Sequence, residues 1–494
     1  MGVTLMVQGT SSDVGKSVLC AALCRWLYKE GYRVAPFKSQ NMALNAMVTA
    51  AGGEIGWAQV MQAEAACTVP LPEMNPVLLK PVSDTVCQVV VGGRAVGNMS
   101  ARQYQQYKKE AFPVVLEALG KLRQQFDVVV IEGAGSPAEI NLREHDIVNM
   151  RLAAAAGSPV LLVADIDRGG AFAFVAGTLA LLEDDERARI QGVIINKFRG
   201  NIERLQPGLT ALEKLTGKPV LGVLPYLNRL SLPAEDSLGL NQAASGDGDL
   251  EVAVINLPRI SNFTDYHALS AEGARLRYVR EASELGKPHL IILPGTKNTL
   301  ADLAYLHGSG LAEKIETAYR AGSCVLGVCG GYQMMGLTIR DSLGYDGCGG
   351  SVPGLGLLAV ETDFAQTKTT TRLTGETLAH GEALEGYEIH MGTTQRMNAR
   401  PFARLRREDG TENLDGAVSE DGRLWGTYLH GLFDSPEFRS GFFHRLRLMF
   451  GLPLRQGDGL SARERREQSY VMLEQAIREH LDVALIRKLL EEKQ

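Results

Sequence analysis

Residues 9–17 read GTSSDVGKS and lie between an apolar run, VTLMVQG, and a helical stretch that begins with SVLCAALCRW. A glycine-rich loop between a strand and a helix wraps phosphates, and its closing lysine and serine supply a cation and a Mg²⁺ ligand. The loop has five residues between its two glycines, one more than the common spacing. A Gly/Ser turn with an incidental lysine is the alternative, but the order of strand, loop, Lys-Ser and helix favours a phosphate-binding loop. We therefore predict ATP binding at Thr10, Gly15, Lys16 and Ser17.

A second candidate for the same site is Glu132, which ends the apolar run VVVI and precedes Gly-Ala-Gly. A carboxylate at the carboxyl end of a strand beside a P-loop can hold Mg²⁺, and the following glycines let a ligand approach closely. A surface acid at a strand end is the alternative interpretation. We predict that Ser17 and Glu132 are the metal ligands.

A nucleophile candidate lies in VLGVCGGYQMMG, where Cys329 follows an apolar run and precedes two glycines and a helical stretch. This order is typical of a nucleophile elbow, a sharp strand-to-helix turn that exposes the reactive atom above the sheet. Backbone N–H groups at Gly330, and at Gly295 in LPGTKNT, are the candidate oxyanion donors. His430, in WGTYLHGLF after a short strand, is the candidate general base.

The third member of a Cys–His–acid triad is not apparent near His430. The expected Glu two residues after the histidine is replaced by Leu432, and Asp434 is a poor substitute on sequence grounds. The acid is therefore missing or is supplied from elsewhere, and a Cys–His dyad remains chemically adequate. Cys324, five residues before Cys329, is interpreted as a core thiol.

Two α/β units must position these residues. In the first half, β-branched apolar runs alternate with amphipathic stretches, as expected for a parallel sheet covered on both faces. A polar, glycine-containing stretch then interrupts the pattern before it restarts with LEVAVINLPRI. We predict a synthetase domain at 1–230, a linker at 231–249, a second α/β domain at 250–450 and a charged helical tail at 451–494, which is more suited to packing than to catalysis.

Composition narrows the class of protein. The 494 residues carry a net charge of -6, with 45% hydrophobic and 22% charged residues, which is ordinary for a globular protein and argues against a general nucleic-acid binder. The seven cysteines form no CxxC pair, and no stretch has the length of a membrane span. We expect a cytoplasmic protein without membrane or nucleic-acid partners, whose oligomeric state the sequence leaves open.

The motifs together resemble known families. The loop with its GT…VGKS form resembles the dethiobiotin synthetase branch of P-loop proteins, and the Cys329 segment resembles class I glutamine amidotransferase domains. Their combination resembles the cobyrinate amidating enzymes of cobalamin biosynthesis. The segments that carry this resemblance are PFKSQNMALNA, NPVLLKPVSD, IEGAGSPAEINL, DIVNM, DIDRGGAFA, INKFRG, LPGTKNT and GYEIHMG.

The resemblance implies amidation of the b, d, e and g side-chain carboxylates of adenosylcobyrinic acid a,c-diamide to adenosylcobyric acid. ATP would convert each carboxylate to an acyl phosphate, and ammonia from glutamine would then attack it. The candidate contacts to this large anionic substrate are Lys38, Gln40, Asn41, Asp146 and Arg168. For each basic residue a solvated surface charge is the alternative, and Asp146 can instead cap a helix.

Three other functions remain open at this point. One is that of an amidotransferase that modifies a cell-wall precursor, although there the two activities usually lie on separate chains. An enzyme of the same family could amidate the a and c carboxylates instead, although the SQNM and DIDRGG segments argue against it. The chain could also be a P-loop ATPase with a non-catalytic amidotransferase-like module, which an intact Cys329 and His430 disfavour. If ammonia is transferred, it must reach the acyl phosphate unprotonated, so we expect the two sites to face each other.

Overall fold

The computed structural model describes residues 1–228, 230–232, 248–346, 349–455 and 457–492. The predicted linker at 231–249 falls largely outside these described residues, as does Cys348. Within the described part, the first half of the chain folds around one six-stranded sheet, and the second half folds around another.

The first half contains short strands and helices that alternate from the N-terminus onward. Its strands are β1 (Val3–Gly9), β2 (Val34–Phe37), β3 (Gln40–Met42), β4 (Ala46–Val48), β5 (Glu54–Gly56), β6 (Val77–Pro81), β7 (Val86–Val91), β8 (Arg94–Ser100), β9 (Val128–Glu132), β10 (Val160–Asp165), β11 (Ile190–Phe198) and β12 (Val220–Pro225). Its helices are α1 (Lys16–Lys29), α2 (Trp57–Ala65), α3 (Ala101–Gln125), α4 (Met150–Ala156), α5 (Ala171–Leu181), α6 (Asp184–Arg189) and α7 (Ile202–Thr216).

The main sheet of this half has the order β12-β11-β10-β1-β9-β2 and is parallel throughout. Neighbouring residues of each strand point to opposite faces, so Val7 packs toward α1 while Met6 packs toward α3 and α4. Both faces are covered, which confirms the predicted parallel α/β class. The register pairs Val7 with Glu132, and this pairing brings Glu132 beside the loop that follows β1.

A smaller substructure between β2 and α3 was not predicted. Here β3, β6, β7 and β8 form a four-stranded sheet, and β4 and β5 form a hairpin in which Ala46 is paired with Gly56. Several of these strands have only three residues, too few to produce a readable alternation of apolar and polar positions. We refer to residues 46–56 as the docking hairpin, because the second half of the chain packs against it.

The second half repeats the α/β pattern and adds long antiparallel strands. Its strands are β13 (Leu250–Ile255), β14 (Ala274–Val279), β15 (Leu290–Leu293), β16 (Cys324–Val328), β17 (Thr338–Asp341), β18 (Gly350–Pro353), β19 (Val360–Thr377), β20 (Ala383–Arg396), β21 (Ala403–Arg407), β22 (Glu412–Asp415), β23 (Ala417–Val418) and β24 (Leu424–Thr427). Its helices are α8 (Thr299–Gly308), α9 (Leu311–Arg320), α10 (Gly330–Met334) and α11 (Pro436–Met449).

The central sheet of this half has the order β14-β13-β15-β16-β24-β23 and is parallel except for the pair of β23 and β24. Cys329 follows β16, and His430 follows the neighbouring strand β24. Because parallel strands end at the same edge of a sheet, both side chains come to one place. The strands β19 and β20 pair with each other in a long antiparallel ribbon.

The C-terminal segment returns to the first half. Its helices, α12 (Ala462–His480) and α13 (Val483–Glu491), bury apolar residues against α1 and the main parallel sheet. Ion pairs from Arg466 to Glu64 at 2.8 Å and from Arg487 to Glu30 at 2.6 Å hold the helices there. The C-terminal segment therefore forms two helices that pack against the first half of the chain. None of the described helices has the length and apolar character that crossing a membrane requires.

Candidate active site

The loop after β1 has the conformation that phosphate binding requires. Gly15 has a φ of 96°, a left-handed conformation that suits glycine, and α1 begins at the next residue. The ammonium group of Lys16 donates to the carbonyl oxygens of Ser11 at 3.0 Å and Gly135 at 3.2 Å, so the lysine spans the loop. The backbone N–H of Thr10 donates to Val163 O at 2.9 Å, which anchors the loop to the neighbouring strand β10.

Glu132 is the focus of the polar contacts beside this loop. Its carboxylate is 1% exposed and accepts hydrogen bonds from Ser17 Oγ at 2.9 Å, Lys38 Nζ at 2.8 Å and Gln62 Nε2 at 2.5 Å. The structure therefore brings together the two predicted metal ligands and one predicted substrate contact, Lys38. Gln62, on α2, was missed, because a glutamine within a helical pattern carries no motif.

The oxygen atoms of Ser17 and Glu132 are a suitable pair for Mg²⁺, which prefers hard oxygen ligands and usually takes few of them from the protein. Among the described residues, no group of three or more His, Cys, Asp or Glu side chains is arranged to hold a metal ion. This donor set fits an ion that takes its remaining ligands from a nucleotide and water rather than a dedicated protein cage.

The other predicted substrate contacts lie in different surroundings. Gln40 accepts a hydrogen bond from the Tyr104 hydroxyl at 2.6 Å, and Asn41 is buried and donates to Gln59 Oε1 at 3.1 Å. Arg168 is exposed, and its guanidinium lies 3.5 Å from the Asp13 carboxylate on the phosphate loop. These three stay close to the loop or to the segment after β2, and their proposed roles remain predictions.

Asp146 accepts hydrogen bonds from the backbone of the turn that leads into α4. Its Oδ1 accepts the backbone N–H groups of Val148 at 2.8 Å and Asn149 at 2.9 Å, and its Oδ2 accepts that of Arg151 at 3.2 Å. The bond from Arg151 satisfies one free N–H group in the first turn of α4, and the other two bonds hold the turn before the helix. Asn149, rather than Asp146, is the N-cap residue of α4, and both the capping role and the substrate contact of Asp146 remain predictions.

In the second half, Cys329 has the strained geometry of an elbow. Its φ is 51°, a conformation that residues other than glycine rarely adopt, and it lies directly between β16 and α10. The flanking glycines are required for space: a Cβ at Gly331 would lie 1.9 Å from Leu293 O, and a Cβ at Gly330 would lie 2.6 Å from the Thr296 side chain. The thiol donates to Ile389 O at 3.6 Å, so β20 covers the nucleophile.

His430 is buried beside this elbow and is held by a carboxylate that the sequence did not indicate. Its Nδ1 lies 2.7 Å from Asp265 Oδ2, and the N–H of Gly431 donates to Asp265 Oδ1 at 3.2 Å. Burial by itself would lower the pKa of His430, but the Asp265 charge and a hydrogen bond with Cys329 outweigh burial and raise the pKa. The arrangement is that of a nucleophile, a base and an orienting acid.

Asp265 lies on a 3-10 helix, Phe263–Glu272, far from both motifs in sequence. Within the described residues it, rather than Asp434, is the carboxylate that contacts the ring of His430. Leu432 is buried, and Cys324 is a buried thiol in β16 that contacts Met449. Gly295 lies against the histidine, since a Cβ there would be 3.0 Å from His430 Cε1. Its role as an oxyanion donor remains a prediction.

The docking hairpin joins the two halves. Lys368 of β19 forms an ion pair with Glu54 of the hairpin, and Lys80 of β6 donates to the same carboxylate at 3.0 Å. Arg372 Nε, also from β19, donates to Val48 O at 3.1 Å. The ribbon that covers Cys329 is therefore fastened to the half of the chain that carries the phosphate loop.

Comparisons with known proteins agree with this division. Residues 5–239 match the model of the CobQ/CobB/MinD/ParA nucleotide binding domain, and residues 251–438 match the model of the CobB/CobQ-like glutamine amidotransferase domain. The relatives described next are similar along nearly their whole length.

The cobyric acid synthase of Yersinia enterocolitica is 50% identical over an alignment that covers 100% of this chain and 99% of the relative. That of Dehalococcoides mccartyi is 47% identical, with coverage of 100% and 99%. That of Pelotomaculum thermopropionicum is 52% identical, with coverage of 92% and 89%. This chain therefore belongs to the cobyric acid synthase family.

Proposed function

We propose that the chain is an ATP- and glutamine-dependent ligase that amidates the b, d, e and g side-chain carboxylates of adenosylcobyrinic acid a,c-diamide. The product is adenosylcobyric acid. The observation that carries this proposal is the full-length similarity to cobyric acid synthases at 50% identity. It is supported by a phosphate loop and a Cys–His–Asp arrangement in one chain, joined by the docking hairpin.

The first half activates the carboxylate. A carboxylate oxygen of the substrate attacks the γ-phosphorus of ATP, ADP leaves, and an acyl phosphate forms. Lys16 and the N–H groups at the start of α1 stabilise charge on the transferred phosphoryl group. Lys38, 2.8 Å from Glu132, lies where it can also attract the anionic substrate. Gln40 and Asn41 follow on the same segment and orient the carboxylate.

Ser17 and Glu132 would hold Mg²⁺ in this half, and the ion would neutralise charge on the phosphates of ATP. Glu132 receives three side-chain hydrogen bonds without the ion. These contacts keep its oxygens at the carboxyl end of β9, close to the serine of the loop.

The second half releases ammonia. The Cys329 sulfur attacks the side-chain carbonyl carbon of glutamine, and His430 takes the thiol proton and transfers it to the departing nitrogen. Ammonia leaves and a thioester remains; water then attacks the thioester, with His430 as the base, and glutamate is released. Asp265 keeps the ring in one orientation, because its carboxylate contacts Nδ1 and leaves Nε2 for the sulfur. Gly330 and Gly295 donate to the oxyanion.

Ammonia then attacks the acyl phosphate carbon, phosphate leaves, and the amide forms. Each amide consumes one ATP and one glutamine. Protonated ammonia is not nucleophilic, so the transfer has to avoid bulk water. The ribbon of β19 and β20 covers Cys329 and contacts the docking hairpin, which supports a transfer across this interface.

The test is to incubate the purified chain with ATP, Mg²⁺, glutamine and adenosylcobyrinic acid a,c-diamide and to follow product mass. We expect four successive replacements of a carboxylate by an amide. A parallel incubation with cobyrinic acid, whose a and c carboxylates are free, separates the two members of the family. Amidation at a and c alone would overturn the substrate assignment, and an unchanged corrinoid with continued glutamate release would overturn it as well.

A further inference from the structure

Asn262 has an unusual backbone and two hydrogen bonds that span both halves of the chain. It is 3% exposed, its φ is 51°, and it immediately precedes the 3-10 helix that carries Asp265. Left-handed conformations are uncommon for residues with a side chain, although asparagine tolerates them better than most. A strained, buried asparagine beside a reactive centre indicates a role for its side chain.

The carboxamide of Asn262 uses both of its N–H bonds. Nδ2 donates to Ala46 O in the docking hairpin at 2.8 Å and to the Tyr387 hydroxyl in β20 at 2.8 Å. The Ala46 carbonyl can only accept, so this contact fixes which end of the amide faces the docking hairpin. One side chain thus connects the backbone of the synthetase half to a tyrosine of the glutaminase half.

Tyr387 is in turn bound to His430. The two rings are stacked with centroids 5.5 Å apart and planes inclined by 20°. Their backbones also pair: the His430 N–H donates to Tyr387 O at 2.9 Å, and the Tyr387 N–H donates to His430 O at 3.2 Å. Asn262 O accepts the N–H of Asp265 at 3.0 Å. Asn262 therefore touches the residue that stacks on the imidazole and the residue that holds its Nδ1.

The other end of this connection leads toward the phosphate loop. Gly56, paired with Ala46 in the docking hairpin, donates its N–H to Asn75 Oδ1 at 3.2 Å. Asn75 Nδ2 donates to Lys38 O at 3.0 Å, and Lys38 contacts Glu132. Strand β5 of the docking hairpin is thus linked through Asn75 to Lys38 beside the phosphate loop, and strand β4 is hydrogen-bonded to Asn262.

We propose that Asn262 is a positioning residue through which the docking hairpin sets the orientation of His430. The inference rests on the proposed function, because it assigns His430 to glutamine hydrolysis. When the hairpin is in place, Ala46 O holds the carboxamide, the carboxamide holds the Tyr387 hydroxyl, and the stacked imidazole keeps its angle toward Cys329. Glutamine hydrolysis then depends on the seating of the synthetase half.

The test uses Asn262→Gly, because glycine readily adopts the left-handed backbone while the side chain with its carboxamide is removed. We expect kcat for glutamate release to fall at least 10-fold, with KM for glutamine within about 2-fold, as for loss of an interaction made in the transition state. Amidation with ammonium salt should stay within about 2-fold, because it does not use His430. The pH profile of glutamate release should also shift, since the histidine is held differently.

Tyr387→Phe is the partner variant, because it keeps the stacking and the backbone pairing and removes the hydroxyl acceptor. The double variant should release glutamate no more slowly than the slower single variant, because both substitutions remove the same hydrogen bond between Asn262 and Tyr387. Asn201→Gly is the control: Asn201, in the first half of the chain, caps α7 by accepting the N–H of Glu203 at 2.7 Å. It should release glutamate at the wild-type rate.

The proposal is overturned if Asn262→Gly releases glutamate as the wild type does. It is also overturned if the losses of the two single variants multiply in the double variant. It is overturned as well if Asn262→Gly lowers ammonium-dependent amidation as much as glutamate release, because Asn262 would then stabilise the whole structure rather than position His430. Failure of the proposed function is distinguishable because it appears in the wild type itself. The wild type would then release no glutamate from glutamine, or would release it while leaving the corrinoid unchanged or amidated at a and c alone.

Discussion

Nδ1 of His430 lies 2.7 Å from Oδ2 of Asp265, a carboxylate 165 positions earlier in the chain. This contact supplies the acid that the segment after His430 lacks, where Leu432 stands in the expected position. The candidate glutaminase site thus consists of Cys329, His430 and Asp265, which lie on three separate segments that follow strands of one sheet.

Asp265→Asn is expected to lower kcat for glutamate release by about 10²–10⁴-fold, because the ring loses the group that fixes its tautomer and stabilises its cation. The pKa of His430 should fall, since burial lowers it and the Asp265 charge no longer opposes burial. A pH profile of glutamate release from 5 to 10 would be measured. Asp434→Asn is the control and should change little; equal losses in both variants would contradict the assignment.

Glu132→Gln should lower ATP-dependent amidation by about 10²–10³-fold with either nitrogen source, because the carboxylate that faces Ser17 and Lys38 becomes neutral. Glutamate release should be retained. Rates with glutamine and with ammonium salt are the measurement. Glu139→Gln, at an exposed acid just beyond the strand, is the matched control. Full amidation activity in Glu132→Gln would exclude the predicted role of this residue.

Gly56→Ala is expected to impair amidation by the synthetase half. A Cβ there would lie 2.8 Å from Asn41 Nδ2, 3.0 Å from Gln59 Oε1 and 3.1 Å from Asn75 Oδ1. Its φ of -61° and ψ of 137° suit alanine, so the effect would come from displaced amides rather than backbone strain. We predict at least about a 10-fold fall in ammonium-dependent amidation if Asn41 orients the substrate.

The control for this variant is Gly120→Ala in α3, where a Cβ would meet nothing within 4 Å. That change should leave amidation unaltered and stabilise the helix by about 0.5–1 kcal/mol. Unchanged amidation in Gly56→Ala would argue against a role for Asn41 in substrate binding.

The buried ion pairs of Glu54 with Lys80 and Lys368 should make the free energy of unfolding depend on pH. Burial alone would raise the pKa of Glu54, but Lys80 and Lys368 outweigh it and lower the pKa to about 2. An unfolded glutamate titrates near about 4.3. The pairing therefore contributes its full stability above about pH 5, and this contribution is lost as pH falls from about 4.3 to about 2.

Glu54→Gln should cost about 3–5 kcal/mol near neutral pH, because it leaves buried lysines without their carboxylate. Calorimetric unfolding between pH 3 and 7 would show a lower transition temperature and a weaker acid dependence than in the wild type. Glu139→Gln serves again as an exposed control. A variant as stable as the wild type at neutral pH would contradict the role of this cluster.

Much of the fold could be predicted because each buried strand is an uninterrupted run of apolar residues. Runs such as VVVI before Glu132 and VLLVA in β10 are apolar on both faces, which is typical of covered parallel strands. The phosphate loop, Cys329 and His430 can be proposed from the sequence for a related reason: each lies in a short motif that joins a strand to the next element.

The remainder depends on contacts between distant segments. Asp265 and Asn262 lie in ISNFTDYHAL, which has no spacing that relates it to His430. Their relevance follows only from the parallel order that brings β13 near β24 through β15 and β16. The docking hairpin has strands of three residues, too short to read from periodicity. Its contacts with Lys368, Arg372 and Asn262 exist only when the second half is packed against it.

The most direct test of ammonia transfer between the two sites traces the amide nitrogen of glutamine into the product. Wild type and Cys329→Ala would be given ATP, Mg²⁺, the corrinoid, glutamine labelled with heavy nitrogen in its side-chain amide, and, in a second arm, unlabelled ammonium salt. We predict labelled amides from the wild type with glutamine, none from Cys329→Ala with glutamine, and unlabelled amides from both with ammonium. Cys324→Ala should behave as the wild type. Labelled product from Cys329→Ala, or no product from it with ammonium, would contradict the account.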